Sequence, residues 1–420
     1  MLLGFVDTVM LGHYDTLAMA ASVSANIWTF ATLFFANGIL FGLDPIIAQA
    51  HGAGDGPRAG LALQRGVVMA LLLSFPVAAS WLITGPFLSV TGQDTSLIPM
   101  AHTYAMTLIP SIPFFLVYSA LRQYLQGREL VMPALIIVVI ANAFNVIANW
   151  AFIFGHLGIP ELGIRGAGIA TSLTRIVSLL LLVLWVWIAK LHRGAWLPWG
   201  HRAFSRSGIA RIFAVGLPVA IQTSTEGWAF SASTLMAGTL GATAVAAHAI
   251  ALNLTGLAFM LPLGVSLGAT TRVGNLIGAG VPRDAQRSAW IAIAMGASVM
   301  TLSATAFLLF RDEIPKIYTL DTTIIALATT ILPIVAAFQI FDGTQAVACG
   351  VLRGMGRTRP AAVFNLIGYW VLGLPLAWWF GVRTADLTGI WWSLAFSLGV
   401  VASLLVAWIR IRGPASLATR

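Results

Sequence analysis

Long apolar runs, broken by Gly, Pro and Arg clusters, recur along the whole chain. A helix needs roughly 20 residues to cross about 30 Å of hydrocarbon, so runs of that length read as membrane spans. Eleven full spans are predicted, at 22–50, 61–85, 97–121, 131–155, 163–189, 207–238, 242–277, 287–310, 323–350, 360–380 and 388–411. A shorter apolar piece, 1–12, precedes them and is too short to cross.

Composition turns this pattern into a class. Of the 420 residues 59% are hydrophobic and only 9% charged, with a mean hydropathy of +0.90. A soluble surface carries about 25% charge, so a water-soluble fold is excluded and a polytopic membrane protein is expected. The chain has 23 Lys and Arg against 14 Asp and Glu, but the basic residues are scattered singly between apolar runs. That placement suits lipid headgroups and topology, not nucleic acid. A single cysteine, Cys349, excludes an internal disulfide and a Cys-rich metal site. No signal-peptide pattern opens the chain.

Charge also orients the spans. Counting 1–12 as the end of a first helix, the loops alternate sides, with 18 Lys and Arg on one side and four on the other. Arg420 belongs to the rich side and Arg175 falls inside a span. The positive-inside rule places the rich loops and both chain ends in the cytoplasm.

The chain also matches itself at an offset of 226. Residues 10–54 align without a gap on 236–280, with 12 identities in 45 positions, among them Gly52-Ala53-Gly54 with Gly278-Ala279-Gly280. Ala and Gly supply most identities, so chance similarity between apolar helices is a rival; the absence of a gap favours descent from a repeat. Six spans per half is an even number, so the halves share an orientation about an axis along the membrane normal. The predicted fold is an all-α polytopic membrane protein of two six-helix bundles, 12 spans with the first truncated. Residues 1–195 form the N-lobe, 196–206 a cytoplasmic linker and 207–420 the C-lobe. By the repeat, about 20 residues of the first helix are expected upstream of Met1. Gly38/Gly42 and Gly264/Gly268 are read as sites of close helix packing within each bundle.

Candidate chemistry lies in the carboxylates inside apolar runs, Asp7, Asp44, Glu226 and Asp342. Each ionised group at membrane depth costs at least roughly 2.5 to 3.5 kcal/mol, so it must pair, bind a cation or take up a proton. Asn145 and Asn149, at i and i+4, share a helix face, with Asn142 one turn earlier. With Asp7 they offer oxygen ligands for a hard monovalent cation, or a carboxylate that trades protons, although interface solvation of Asp7 and amide glue between helices stay open. Glu226 lies about 18 Å along its helix from Gly238, near the bilayer midplane, and Asp342 about 28 Å from residue 323, apparently deeper. A tilt or a kink at Pro333 closes part of that gap, and whether the two meet stays open. Asp44, beside Pro45, reads as an interfacial group, or as a tether near Arg272. The pairs Trp391/Trp392 and Trp378/Trp379 read as interface belts.

Several segments carry a resemblance: Val6-Asp7-Thr8-Val9-Met10, Asn145 to Trp150, Gly216-Leu217-Pro218-Val219-Ala220, Ala246-Ala247-His248, Arg272-Val273-Gly274 and Leu352-Arg353-Gly354. Together with Pro45, Ala48-Gln49 and Glu161-Leu162-Gly163, their order over the chain resembles the multidrug and toxic compound extrusion (MATE) family, in its NorM-like branch. The resemblance implies twelve helices in two lobes around a V-shaped cavity, expelling cationic or amphipathic compounds at the expense of Na⁺ or H⁺ entry. It places a cation or proton site at Asp7, Asn145, Asn149 and Thr171, and an acidic C-lobe pair at Glu226 and Asp342. Phe338, four residues before Asp342, lacks the hydroxyl of the Tyr often found in Na⁺-coupled relatives, which weighs against Na⁺ there.

The expected partners are small-molecule substrates and membrane lipids, with no nucleic acid and no cofactor beyond the coupling ion. The expected state is a monomer in the inner (plasma) membrane. A lipid-linked oligosaccharide flippase of the same fold is the first rival, but such cavities use several basic groups and only Arg175 lies well inside a span, away from its ends. An intramembrane enzyme is the second, and no HExxH, DDxxD or Walker motif occurs.

Overall fold

The computed structural model describes residues Leu2–Ala418; Met1 and Arg420, both used in the topology argument, lie outside the described residues. Among the described residues the regular structure is entirely helical. The helices are α1 Leu2–Tyr14, α2 Thr16–Leu40, α3 Leu43–Gly52, α4 Gly56–Leu82, α5 Thr84–Val90, α6 Ile98–Leu108, α7 Ile112–Gly127, α8 Met132–Phe154 and α9 Gly163–Ile188. They continue as α10 Arg206–Thr239, α11 Ala242–Gly278, α12 Pro282–Leu309, α13 Thr322–Gly354, α14 Arg359–Leu366, α15 Leu374–Ala377 and α16 Leu387–Arg412. Wide π-helical turns, Ile367–Gly373 and Trp378–Val382, flank α15.

Among the described residues ten helical segments are long and apolar enough to cross a membrane. They correspond to ten of the eleven expected spans. The eleventh, 207–238, folds as the 34-residue α10, but Gln222-Thr223-Ser224-Thr225-Glu226 in its middle keeps it less apolar than the others. Helix starts follow capping chemistry. Asp15 accepts from the N–H groups of Leu17 and Ala18, Asp55 from Arg58, and Asp386 from Thr388. Asp321 caps α13 in the same way, and the N–H groups of Thr323 and Ile324 hold its carboxyl below the ordinary carboxylate range.

The chain divides into two compact units. The first holds the chain up to Leu43 together with Asp55–Gly216, and the second holds Asp44–Gly54 with everything from Leu217 onward, so the division falls inside α10. Within the first unit, backbone approaches rest on glycine. A Cβ on Gly42 would lie 2.3 Å from the Ile212 carbonyl oxygen, and one on Gly216 1.8 Å from that of Ile39. In the second unit α13 is apolar on all sides and packs against α11, α12 and α16. Ser266 and Thr270 of α11 donate to the carbonyls of Ala346 and Gly350 at 2.7 and 2.9 Å, while Gly350 and Gly354 leave room for the approach. Small residues and interhelical hydrogen bonds thus do the joining that lipid cannot drive.

Three readings are corrected here. Gly264 and Gly268 face open space, so the second GxxxG is not a packing seam, whereas Gly42 of the first is. Trp391 is fully buried against Phe338 and His248, while Trp392, Trp378 and Trp379 are half or more exposed, so only these three fit an interface belt. Asp44 is not an interfacial group: it is buried, and the equally buried Arg353 lies 3.9 Å from it. Neighbouring Gln49 donates to the Gly354 carbonyl at 3.0 Å, so α3 is fastened to the end of α13 within the second unit.

Candidate functional site

Four helices of the first unit converge on Asp7. Its carboxylate, on α1, is completely buried. It accepts from the Asn149 amide of α8 at 2.7 Å, the Thr171 hydroxyl of α9 at 2.5 Å and the Tyr104 hydroxyl of α6 at 3.1 Å. Asn145 stands one turn from Asn149, accepts from its amide at 3.2 Å, and donates to the hydroxyls of Thr171 and Thr174 at 3.4 Å. The four expected residues Asp7, Asn145, Asn149 and Thr171 therefore form one network. Interface solvation of Asp7 is ruled out by its burial. Asn142 stands apart and bonds the Val138 carbonyl of its own helix.

The network closes one side of a cavity of about 610 Å³ lined by Asp7, Tyr104, Thr171 and Arg175, with Phe30 and Phe34 from α2 and Phe115 from α7. Every lining residue belongs to the first unit. The donor set suits a hard cation: the Asp7 carboxylate, the Thr171 hydroxyl and Asn149 Oδ1, a buried oxygen without a hydrogen-bond partner.

In the second unit Glu226 on α10 and Asp342 on α13 lie within electrostatic reach of each other. Asp342 is buried and Glu226 half-buried. Gln345, one turn after Asp342, reaches Glu226 and donates to Asn365 Oδ1 at 2.6 Å. Phe338 is not at a polar surface. It is buried in an aromatic core with Phe230, Trp391 and, through Phe230, Tyr369, at ring distances of 5.8 to 6.0 Å. Around the pair, the Tyr369 hydroxyl, both amide atoms of Gln339 and Gln345 Oε1 are buried without hydrogen-bond partners.

Sequence reasoning missed Tyr104, Gln345, Asn365 and Tyr369. Gln345 had a readable signal, since it lies three residues from Asp342 and shares its helix face. Tyr104 and Asn365 carried only the weaker signal of a polar side chain inside an apolar run.

Comparison with known proteins converges on one group. The family model MatE matches residues 1–151 and 218–379. Multidrug resistance protein NorM of Vibrio vulnificus (strain YJ016) is 33% identical over 411 residues, covering 96% of this chain and 90% of that protein. Multidrug resistance protein PmpM of Pseudomonas aeruginosa is 32% identical over 410 residues, covering 96% and 86%. Among solved structures, the eukaryotic MATE transporter AtDTX14 superposes with a TM-score of 0.88 at 23% identity, over 99% of this chain and 93% of that one, which establishes the shared fold. A family model covering most of the chain, relatives one-third identical along nearly its whole length, and ten apolar spanning helices lead to one assignment: this multi-pass membrane protein belongs to the MATE transporter family.

Proposed function

We propose that the protein is a secondary active multidrug efflux transporter of the inner (plasma) membrane, exporting cationic or amphipathic compounds in exchange for inward Na⁺ or H⁺. The observation that carries this reading is Asp7: a carboxylate buried at membrane depth, held by neutral donors and opening on a cavity large enough for a drug. A charge in hydrocarbon is costly, and here it is retained on a network of four helices, with Arg175 lining the same cavity. Arrival of a cation or proton cancels the carboxylate's charge and competes with a cationic substrate for it. Substrate occupies the cavity of the first unit, and the Glu226/Asp342 pair supplies a second place for a cation or proton.

Entry of one cation across about 100 mV releases about 2.3 kcal/mol, enough for a modest substrate gradient even without an ion gradient. Reconstitution of the full chain in liposomes tests the proposal. A Na⁺ step or a pH step imposed across the membrane drives ethidium movement, and whichever step is effective identifies the ion. Ethidium movement that is insensitive to both ions overturns the antiport reading.

A further inference from the structure

We infer that Arg65, Arg202 and Arg211, gathered where the linker crosses α4, form a binding site for the phosphate of an anionic phospholipid. None of the three lines the cavity of the first unit, so the site goes beyond the transport reading and stands without it.

The linker is laid along the first unit by contacts to its backbone. Arg128 Nη1 donates to the Leu191 carbonyl at 2.5 Å, and Gln64 Nε2 to that of Leu197 at 2.7 Å. Between them Gly56 and Gly60 admit the chain: a Cβ on either would lie 1.8 or 2.0 Å from the carbonyl oxygen of Gly194 or Ala195. The last fastening is Arg65 itself, whose Nε donates to the Arg202 carbonyl at 3.3 Å. Its guanidinium lies flat in the room left by Gly208 of α10, where a Cβ would stand 2.3 Å from it. Arg211, three residues further along α10, is within electrostatic reach of Arg65.

These positive charges have no acidic answer in the chain around them. Residues 56–93 and 162–225 contain no Asp or Glu, and none of the four ion pairs among the described residues includes Arg65, Arg202 or Arg211. Gathering like charges costs energy that a shared anion recovers. The bond to Arg202 uses Nε of Arg65 and leaves its terminal nitrogens to a ligand, and a guanidinium matches two phosphate oxygens through parallel hydrogen bonds. The apolar part of the ligand is answered beside the charges. Trp199 and Phe204, 50% and 63% exposed with ring centres 6.5 Å apart, flank Arg202 in the linker, and exposed aromatics of this kind sit at headgroup level in a bilayer. A free phosphate has no use for the rings, so a lipid that carries net negative charge is the occupant.

Thermal unfolding of the purified full chain in detergent, titrated with phosphatidylglycerol, tests this. The melting temperature rises saturably with phosphatidylglycerol, and not with phosphatidylcholine or inorganic phosphate at equal concentration. Arg65→Gln with Arg211→Gln raises the half-saturating phosphatidylglycerol concentration by about tenfold or more. Arg283→Gln with Arg410→Gln, which removes as much charge from exposed positions elsewhere, leaves it within about twofold. Where the first pair does not fold, Arg202→Gln at its exposed position serves, with a shift of about threefold or more. Equal shifts for both pairs reduce the effect to the diffuse charge of the basic loops and overturn the site. Stabilisation by inorganic phosphate that matches phosphatidylglycerol overturns the lipid as its occupant, and a melting temperature unmoved by phosphatidylglycerol overturns both.

Discussion

The two units hold their buried carboxylates in opposite ways. In the first, Asp7 has a donor from each of three neighbouring helices, so its charge is answered by the fold itself. In the second, Glu226 and Asp342 share one electrostatic neighbourhood, and the polar atoms nearby on Gln339, Gln345 and Tyr369 are unpartnered. Buried polar groups gain when fully satisfied and cost when left half-satisfied. The first carboxylate is therefore held by the fold, with Asn149 Oδ1 left open beside it, while the second site leaves several polar atoms without partners.

The largest test of this contrast is Asp7→Ala, which strands three buried donors. At about 1 to 3 kcal/mol for each orphaned group it lowers the melting temperature sharply, read by thermal unfolding in detergent, and it abolishes ion-driven dye movement in liposomes. The matching change in the second unit, Asp342→Asn, removes a repulsion instead and is expected to raise the melting temperature. A fall as large as that of Asp7→Ala would erase the distinction between the sites. The double variant Glu226→Gln with Asp342→Asn folds but loses cation-coupled efflux; efflux with unaltered ion dependence removes the second site from the mechanism.

A smaller effect concerns packing. Gly42→Ala forces a Cβ against the Ile212 carbonyl and costs about 1 to 3 kcal/mol, whereas Gly268→Ala, with open space beside it, is neutral within about 0.5 kcal/mol in the same unfolding assay. The smallest change is Phe338→Tyr. It adds a hydroxyl within the aromatic core near Asp342 and is expected to increase the Na⁺ dependence of transport modestly; a response indistinguishable from the parent shows that the ring position does not reach the ion.

Much of this was legible in the sequence because hydrocarbon imposes a length. Spans such as 131–155 and 163–189 lie within a residue of α8 and α9. The i, i+4 spacing of Asn145 and Asn149 announced a shared face, and both side chains are buried on it. What stayed hidden depends on which apolar face meets protein and which meets lipid, since both are equally greasy and no polar period separates them. Hence adjacent Trp391 and Trp392 could not be told apart, although one is core and the other surface. Partners far apart in the chain were equally silent: Tyr104 finds Asp7 across 97 positions, and Asp44 finds Arg353. The repeat suggested that Gly264/Gly268 would copy Gly38/Gly42, but the tight partner of Gly42 is α10, and no counterpart of that contact meets Gly264 or Gly268.

A single residue, Asp15, separates α1 from α2, and its side chain is spent capping the second helix. Such a joint has no slack. Asp7 lies only about 12 Å of helix from it, and α2 beyond the joint carries Phe30 and Phe34 of the cavity lining. On the proposed antiport, a shift of α1 at the carboxylate would pass to the cavity wall through that one short corner.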